Sequence, residues 1–342
     1  MRRLFRTLCL LLALALLLPC AAVRADAAKE QSGFSFDADF SRESLGDAIE
    51  RYLDRKRPAG SIAIGWCDLK SGEEWYHNPD LFLEGASTYK LPLAMLYADR
   101  IAAGELTPED TVGHYVLRDA LETMLVDSNN AAGSVLRSYA VPKGELFKRL
   151  IAPYGGLDES ELPEQFFYNN SYSPRFLIGT LRTLYENEEK YSLLLDFLKR
   201  ARPNDYFCRY RGELEVAHKY GSDFGFVCDS AIVYAERPFL LCVMTYGVDR
   251  APVMLGEIAR IAMDYADYLA AQPEPTPAPT PAPTPAPTPE PAAAATPVPA
   301  EESGSERAGE PGKGSPLLAI APAGLAALAA LAFLLRRRKN RA

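Results

Sequence analysis

Histidine and closely spaced cysteine are scarce in this sequence, and their scarcity argues against the commonest protein metal sites. The chain has three histidines, His77, His114 and His218, which are scattered along it. None of the six cysteines forms the close Cys-Cys pair that zinc sites use. We therefore interpret the histidines as surface or strand residues. The sequence predicts no metal site and no cofactor.

Positive charge is also sparse outside the two ends of the chain. The formal net charge is −8, although residues 1–27 contribute four arginines against one aspartate and residues 336–342 contribute five further positive charges. The rest of the chain therefore carries a net charge of −16. A segment this acidic is repelled by phosphate backbones and anionic surfaces. We predict that the protein does not bind nucleic acid.

The C-terminal region lacks the Leu-Pro-x-Thr-Gly motif of a cell-wall sorting signal, although its layout is otherwise similar. Residues 317–335 are uncharged and mostly Leu and Ala, and the basic segment 336–342 follows at once. About 20 apolar residues span a bilayer, and a basic flank stays in the cytoplasm. We therefore predict a transmembrane helix at 317–335 and a cytoplasmic tail at 336–342.

A proline-rich linker precedes this helix. Every second residue from Pro273 to Pro291 is proline, which favours an extended spacer of about 3.1 Å per residue. We assign the linker to residues 271–316. It separates the predicted anchor from the folded part of the chain.

The N-terminus has the pattern of a secretory signal peptide. Arginines precede a long apolar run, and small residues follow it, so cleavage is predicted after residue 27. The alternative is a lipoprotein attached through Cys20, where Pro19 occupies a position that normally needs a small residue. Residues 28–270 then form one domain. We expect this domain on the extracytoplasmic side of the cell membrane, held by a single-pass anchor.

Four cysteines remain in the exported part, and their pairing is open. Export permits disulfides, and four cysteines allow three complete pairings, while free buried thiols are equally ordinary. These residues are Cys67, Cys208, Cys228 and Cys242.

The order of predicted elements indicates an α+β domain. An amphipathic helix at 41–56 is followed by the hairpin "SIAIGWCDL", "KSGEE", "WYHNPDLFL". A long, largely helical block comes next, and the chain then returns to three strand-like runs and a last helix at 251–271. We predict an antiparallel sheet built from both ends of the chain and packed on the helical block.

The run "GASTYK" places Ser87 and Lys90 on one face at the start of an apolar helix. Pro92 is best tolerated in the first turn, which supports a helix start here. Ser87 is a candidate nucleophile, since a buried lysine has a lowered pKa and can take a hydroxyl proton. Alternatively, Ser87 or Thr88 caps the helix and Lys90 points to solvent.

Two further motifs follow in order. Ser128-Asn129-Asn130 lies in a helical context, and "HKYGS", residues 218–222, ends a predicted strand. The series Ser-x-x-Lys, Ser-x-Asn and Lys-x-Gly resembles the signature of the class A β-lactamases and penicillin-binding proteins. The hairpin, the "SYSPRFLIGTLRTLY" helix and the last two strands also resemble this family over most of residues 45–270.

This resemblance implies specific roles. Ser87 is the nucleophile that becomes acylated, Lys90 is its base, and Ser128 passes a proton to the leaving nitrogen. Asn130 holds the substrate amide and Lys90. Lys219 attracts the substrate carboxylate and helps to lower the pKa of Lys90.

The substrate-binding strand continues through Tyr220, Gly221 and Ser222. The resemblance implies an oxyanion hole made by the backbone N–H groups of Ser87 and Ser222. Tyr220 occupies a position where the family has Thr or Ser, so substrate choice is expected to differ. Only 41 positions separate Ser87 from Ser128, fewer than in the family, which predicts a more open cleft.

The resemblance implies that release of the acyl group depends on the segment "LDESELPE". It resembles the family's Glu-x-Glu-Leu-Asn pattern and offers Glu159 as the base that activates water. Pro163 replaces the asparagine of that pattern and has no side-chain donor or acceptor. Glu161 and Glu164 are alternatives, and all three are also consistent with solvated loop acids.

The resemblance predicts a serine hydrolase that forms an acyl-enzyme with β-lactams or peptidoglycan stem peptides. The sequence does not choose between these substrates. The alternative is a non-catalytic cell-wall-binding module that keeps the fold, which Tyr220 and Pro163 favour.

Overall fold

The computed structural model describes residues 33–273. Within this range the helices are α1 (Leu45–Lys56), α2 (Lys90–Ala102), α3 (Leu117–Val126), α4 (Asn130–Ala140), α5 (Phe147–Ile151), α6 (Glu164–Tyr168), α7 (Pro174–Glu186), α8 (Glu188–Lys199) and α9 (Ala251–Ala270). The strands are β1 (Ser61–Asp68), β2 (Glu74–His77), β3 (Leu83–Glu84), β4 (Thr111–Val112), β5 (Tyr115–Val116), β6 (Ser171–Tyr172), β7 (Glu215–Asp223), β8 (Phe226–Tyr234) and β9 (Phe239–Tyr246).

The main sheet has five antiparallel strands in the order β2-β1-β9-β8-β7. The first strand of the domain therefore pairs with the last one, from Ser61 opposite Tyr246 to Asp68 opposite Phe239. This arrangement confirms the predicted α+β class and the sheet built from both ends of the chain. It also leaves β7 at an edge of the sheet.

Both faces of this sheet are covered by helices. Successive side chains of a strand point to opposite faces, so Trp66 packs in the cluster with α1 and α9, while Cys67 packs in the cluster with the helical block. Seven of the eight residues of β1 are buried. Burial on both faces explains why the strands are near-continuous apolar runs in the sequence.

The predicted second strand of the hairpin ends early. Asn78 has a φ of +52° and its side chain donates to the carbonyl of Ile62 at 2.8 Å, so the chain turns away after His77. Residues 78–82 belong to no strand, and only Leu83 of the predicted strand enters β3, which pairs with β6 rather than with β1. This second pairing brings the turn before α2 against the segment before α7.

The segments predicted as signal peptide, linker, membrane helix and tail lie outside the described residues, apart from a few positions at their edges. Across residues 33–273, no helix combines the length and apolar character needed to cross a membrane. The four cysteines of this range, whose pairing the sequence left open, are buried free thiols.

Candidate active site

Ser87 lies in a short 3-10 turn, residues 86–89, that leads directly into α2. Ala86 has a φ of +47°, which is uncommon for a residue with a side chain. The turn is held by Asn170, whose carbonyl accepts the N–H of Gly85 at 2.8 Å and whose side-chain amide donates to the carbonyl of Ala86 at 2.8 Å. The side-chain amide also donates to Glu84. The conformation around Ser87 is therefore fixed from outside the turn.

Lys90 is fully buried and faces Ser87, as the spacing predicted. Its Nζ lies 3.0 Å from Ser87 Oγ, 2.6 Å from the carbonyl oxygen of Ser128 and 2.7 Å from Asn130 Oδ1. These contacts are inconsistent with a lysine that points to solvent. Burial removes water from the ammonium group and lowers the pKa of Lys90 to about 8.

Ser128 lies in the connection between α3 and α4, with a φ of +55°. Asn129 caps α4 by accepting the N–H of Ala132 at 2.9 Å, so Asn130 becomes the first residue of the helix. This geometry directs Ser128 Oγ towards both lysines. It lies 3.3 Å from Lys90 Nζ and 3.0 Å from Lys219 Nζ.

Lys219 reaches the site from β7 and is also fully buried. Burial, followed by repulsion from the charge of Lys90, lowers the pKa of Lys219 to about 7. Burial lowers the pKa of both lysines, and repulsion between the two ammonium groups acts in the same direction. The two ammonium groups form a coupled pair that begins to lose a proton near neutral pH.

Gly221 lies where β7 passes close to Ser87. A Cβ atom at this position would be 2.7 Å from the backbone nitrogen of Ser87 and 2.6 Å from the carbonyl oxygen of Gly85. Only glycine therefore allows the strand this approach. The next residue, Ser222, pairs with Val227 of β8 and has an exposed side chain.

Tyr220 is directed away from this group of residues. Its ring stacks on Tyr206 at a centroid distance of 4.8 Å, and its hydroxyl donates to the carbonyl of Arg202. Because side chains alternate along a strand, Lys219 and Tyr220 lie on opposite faces of β7. The phenol already has a partner within the protein.

Glu159 is also placed apart from Ser87. It lies in a 3-10 turn, residues 159–161, where its carboxylate pairs with Arg149 at 2.8 Å and its side chain is 61% exposed. Glu161 accepts the N–H of Asp158. Within the described part of the chain, no carboxylate pairs with Lys90.

Sequence reasoning missed two contributors. Asn170 holds the turn that carries Ser87 through a contact that spans 84 positions of sequence. His218 is buried behind Lys219 and pairs with Asp229 at 2.9 Å. The Asn170 contact joins segments that meet only through the tertiary fold, whereas His218 and Asp229 lie on the adjacent strands β7 and β8.

The chain is similar to a known sequence family and to several solved structures. The sequence model of the β-lactamase enzyme family matches residues 44–266, while a search of curated protein sequences found no match. The solved β-lactamase of Sphaerobacter thermophilus is similar at 19% identity and a TM-score of 0.56, covering 68% of this chain and 99% of that chain.

Penicillin-binding protein structures are similar as well. PBP-A matches at 17% identity and a TM-score of 0.54, covering 66% of this chain and 96% of that chain. A variant of PBP-A in an acyl-enzyme complex with penicillin G matches at 18% identity and the same TM-score, 0.54, covering 66% of this chain and 96% of that chain. These structures support the fold, and the family match extends over well more than half of the sequence. The chain belongs to the β-lactamase enzyme family.

Proposed function

We propose that this protein is a serine hydrolase that forms an acyl-enzyme at Ser87 with β-lactams or with peptidoglycan stem peptides. The observation that carries the proposal is the hydrogen-bonded chain from Ser87 through Lys90 and Ser128 to Lys219. Burying two lysines with no carboxylate partner is unfavourable. Such an arrangement is typical of sites that need an amine with a lowered pKa.

Acylation requires Lys90 to be neutral and Lys219 to be charged. The pKa values of about 8 and about 7 mean that the pair loses its first proton near neutral pH. A substrate carboxylate beside Lys219 favours the charged form of that residue. Repulsion then favours the neutral form of Lys90, so substrate binding itself frees the base.

In the first step, Ser87 Oγ attacks the substrate carbonyl and its proton passes to Lys90 Nζ. The carbonyl oxygen becomes an oxyanion, which we propose is stabilised by the N–H groups of Ser87 and Ser222, because β7 passes close to Ser87 at Gly221. The C–N bond then breaks as Ser128 Oγ donates a proton to the leaving nitrogen. Lys90 and Lys219, both within 3.3 Å, can return a proton to Ser128.

Hydrolysis of the acyl-enzyme is proposed to be slow. The carboxylate of Glu159 is engaged with Arg149 at the surface, and Pro163 has no side-chain donor or acceptor to hold a water. A long-lived acyl-enzyme suits a penicillin-binding peptidase better than a β-lactamase with rapid turnover. A variant of PBP-A, one of the similar structures, was solved as an acyl-enzyme complex with penicillin G.

We further propose that the domain acts on the extracytoplasmic side of the membrane. This placement rests on the apolar N-terminal segment, the linker at 271–316 and the apolar segment at 317–335. A non-catalytic wall-binding module would have no need for a buried lysine pair around Ser87. That alternative is therefore not favoured.

Intact-mass measurement after incubation with penicillin G tests the proposal. The full chain should gain one penicillin mass, and Ser87→Ala should gain none while it remains folded by circular dichroism. A stable adduct indicates the peptidase type, and an adduct that disappears with release of the hydrolysed drug indicates a β-lactamase. If the wild-type chain gains no adduct from penicillins, cephalosporins or a stem-peptide thioester, the proposal is wrong.

A further inference from the structure

A buried charged pair lies directly behind Lys219, on the opposite face of β7. His218 precedes Lys219 in the strand and is 1% exposed, and Asp229 of β8 is 0% exposed. His218 Nδ1 lies 2.9 Å from Asp229 Oδ2 and 3.1 Å from Oδ1. The pair is therefore held in one geometry against the strand that carries the substrate-binding lysine.

Other groups complete this arrangement. Asp229 also accepts the backbone N–H of Ser230 at 2.9 Å and that of Phe207 at 3.3 Å. The Nε2 atom of His218 is buried without a hydrogen-bond partner among the described residues. The thiol of Cys208 lies close to the imidazole and raises the pKa of His218.

Stability alone does not explain such a pair. A buried ion pair loses hydration on folding, and replacing it with apolar side chains is often neutral or stabilising. An effect of His218 and Asp229 on the adjacent Lys219 explains why this pair lies at this position.

The charges that face Lys219 come from several elements. Lys90 of α2 lowers its pKa, while Asp229 and Cys228 of β8 raise it. Asp229 in turn raises the pKa of His218 to about 10, against the effect of burial. His218 is therefore charged near neutral pH and offsets the negative charge of Asp229. Lys219 faces a nearly neutral pair instead of an uncompensated carboxylate.

We propose that His218 and Asp229 are positioning residues for Lys219, which fix the path of β7 behind the ammonium group and present a balanced pair of charges to it. This inference rests on the proposed function, because it assigns Lys219 to the substrate carboxylate. It predicts that the two members of the pair act in opposite directions. Removing the carboxylate disfavours the proton on Lys219, and removing the imidazolium favours it.

The test is the pH dependence of the second-order rate constant for acylation by penicillin G, measured by intact mass on the full chain. The alkaline limb of this profile marks loss of the last proton from the Lys90 and Lys219 pair. Asp229→Asn should move the limb to lower pH and His218→Gln should move it to higher pH, each by up to about one pH unit.

The double variant, H218Q together with D229N, is the matched control. It removes both charges but keeps two polar side chains that can hydrogen-bond, so its limb should return close to that of the wild type. Thermal unfolding identifies any variant that fails to fold. If His218→Gln does not fold, the downward shift of Asp229→Asn and the return of the double variant still test the proposal.

A purely structural role gives a different result. Both single variants would then lower the rate at every pH and leave the limb in place, or would move it in the same direction, and either outcome overturns the inference. Failure of the proposed function is distinct, because the wild-type chain would then show no adduct at any pH.

Discussion

The substitution Lys219→Gln examines whether the charge of one lysine controls the other. Glutamine keeps a donor for Ser128 Oγ but removes the charge. Both lysine Nζ atoms lie within 3.3 Å of that oxygen, so they are separated by about 6 Å or less. At about 6 Å and an effective dielectric constant of about 20, repulsion between two unit charges is about 2.8 kcal/mol. This energy corresponds to a change of about two pKa units.

The expected result concerns the acid limb of acylation at saturating substrate. In the wild type, the bound carboxylate keeps Lys219 charged, and repulsion lowers the pKa of Lys90 by about two units from about 8. In Lys219→Gln that repulsion is absent, so the limb should lie about two pH units higher. The first-order rate constant should then be roughly tenfold lower at pH 7 and recover at higher pH.

Rapid-quench intact-mass measurements of the first-order acylation constant across this pH range provide the assay. Lys199→Gln is the matched control, because it makes the same change in net charge where Lys199 pairs with Glu215 at the start of β7. Its profile should match the wild type. Coincident acid limbs in Lys219→Gln and the wild type would refute the proposed coupling, as would a reduction of the rate by the same factor at every pH.

Three further predictions concern the surroundings of the site. Gly221→Ala places a Cβ 2.7 Å from the backbone nitrogen of Ser87, so acylation should slow by roughly 100-fold. The circular dichroism spectrum should stay native. An unchanged acylation rate would contradict the close approach of β7 to Ser87. Glu159→Gln should leave the acyl-enzyme lifetime unchanged in a mass time course, whereas an increase of roughly 100-fold would identify Glu159 as the base. Burial lowers the pKa of Lys148 from 10.5 to about 6. Between these two values the unfolded chain binds a proton that the folded chain lacks, so stability rises with pH in this window. Lys148→Met should reduce that slope in urea unfolding by up to about 1.4 kcal/mol per pH unit, and equal slopes would show that Lys148 stays charged.

The prediction of the fold succeeded where burial leaves a simple pattern in the sequence. The three strand-like runs near the end of the chain correspond to β7, β8 and β9, and the last helix, predicted at 251–271, is observed at Ala251–Ala270. The second strand of the hairpin was predicted too long. Its end depends on the positive φ of Asn78 and on pairing between β3 and β6, which lie almost 90 positions apart in the chain.

The residues of the candidate site also divide into those that the sequence pattern identified and those whose position only the structure shows. Ser87, Lys90, Ser128, Asn130 and Lys219 were recognised because their spacing forms a known series, and the structure brings their side chains together. Spacing could not show where the remaining candidates point. Tyr220 follows the alternation of β7 to the opposite face, and Glu159 pairs with Arg149 because that arginine lies nearby at the surface.

The amino-acid sequence by itself determined the fold class and the identity of the candidate nucleophile and lysines, because these follow from periodicity and from the order of motifs. Only the tertiary structure decided how the two lysines share protons, since pKa values depend on burial and on charges contributed by α2, β7 and β8. It also decided that β7 lies at a sheet edge within reach of Ser87. Distances between segments more than 100 positions apart are properties of packing, and no local pattern encodes them.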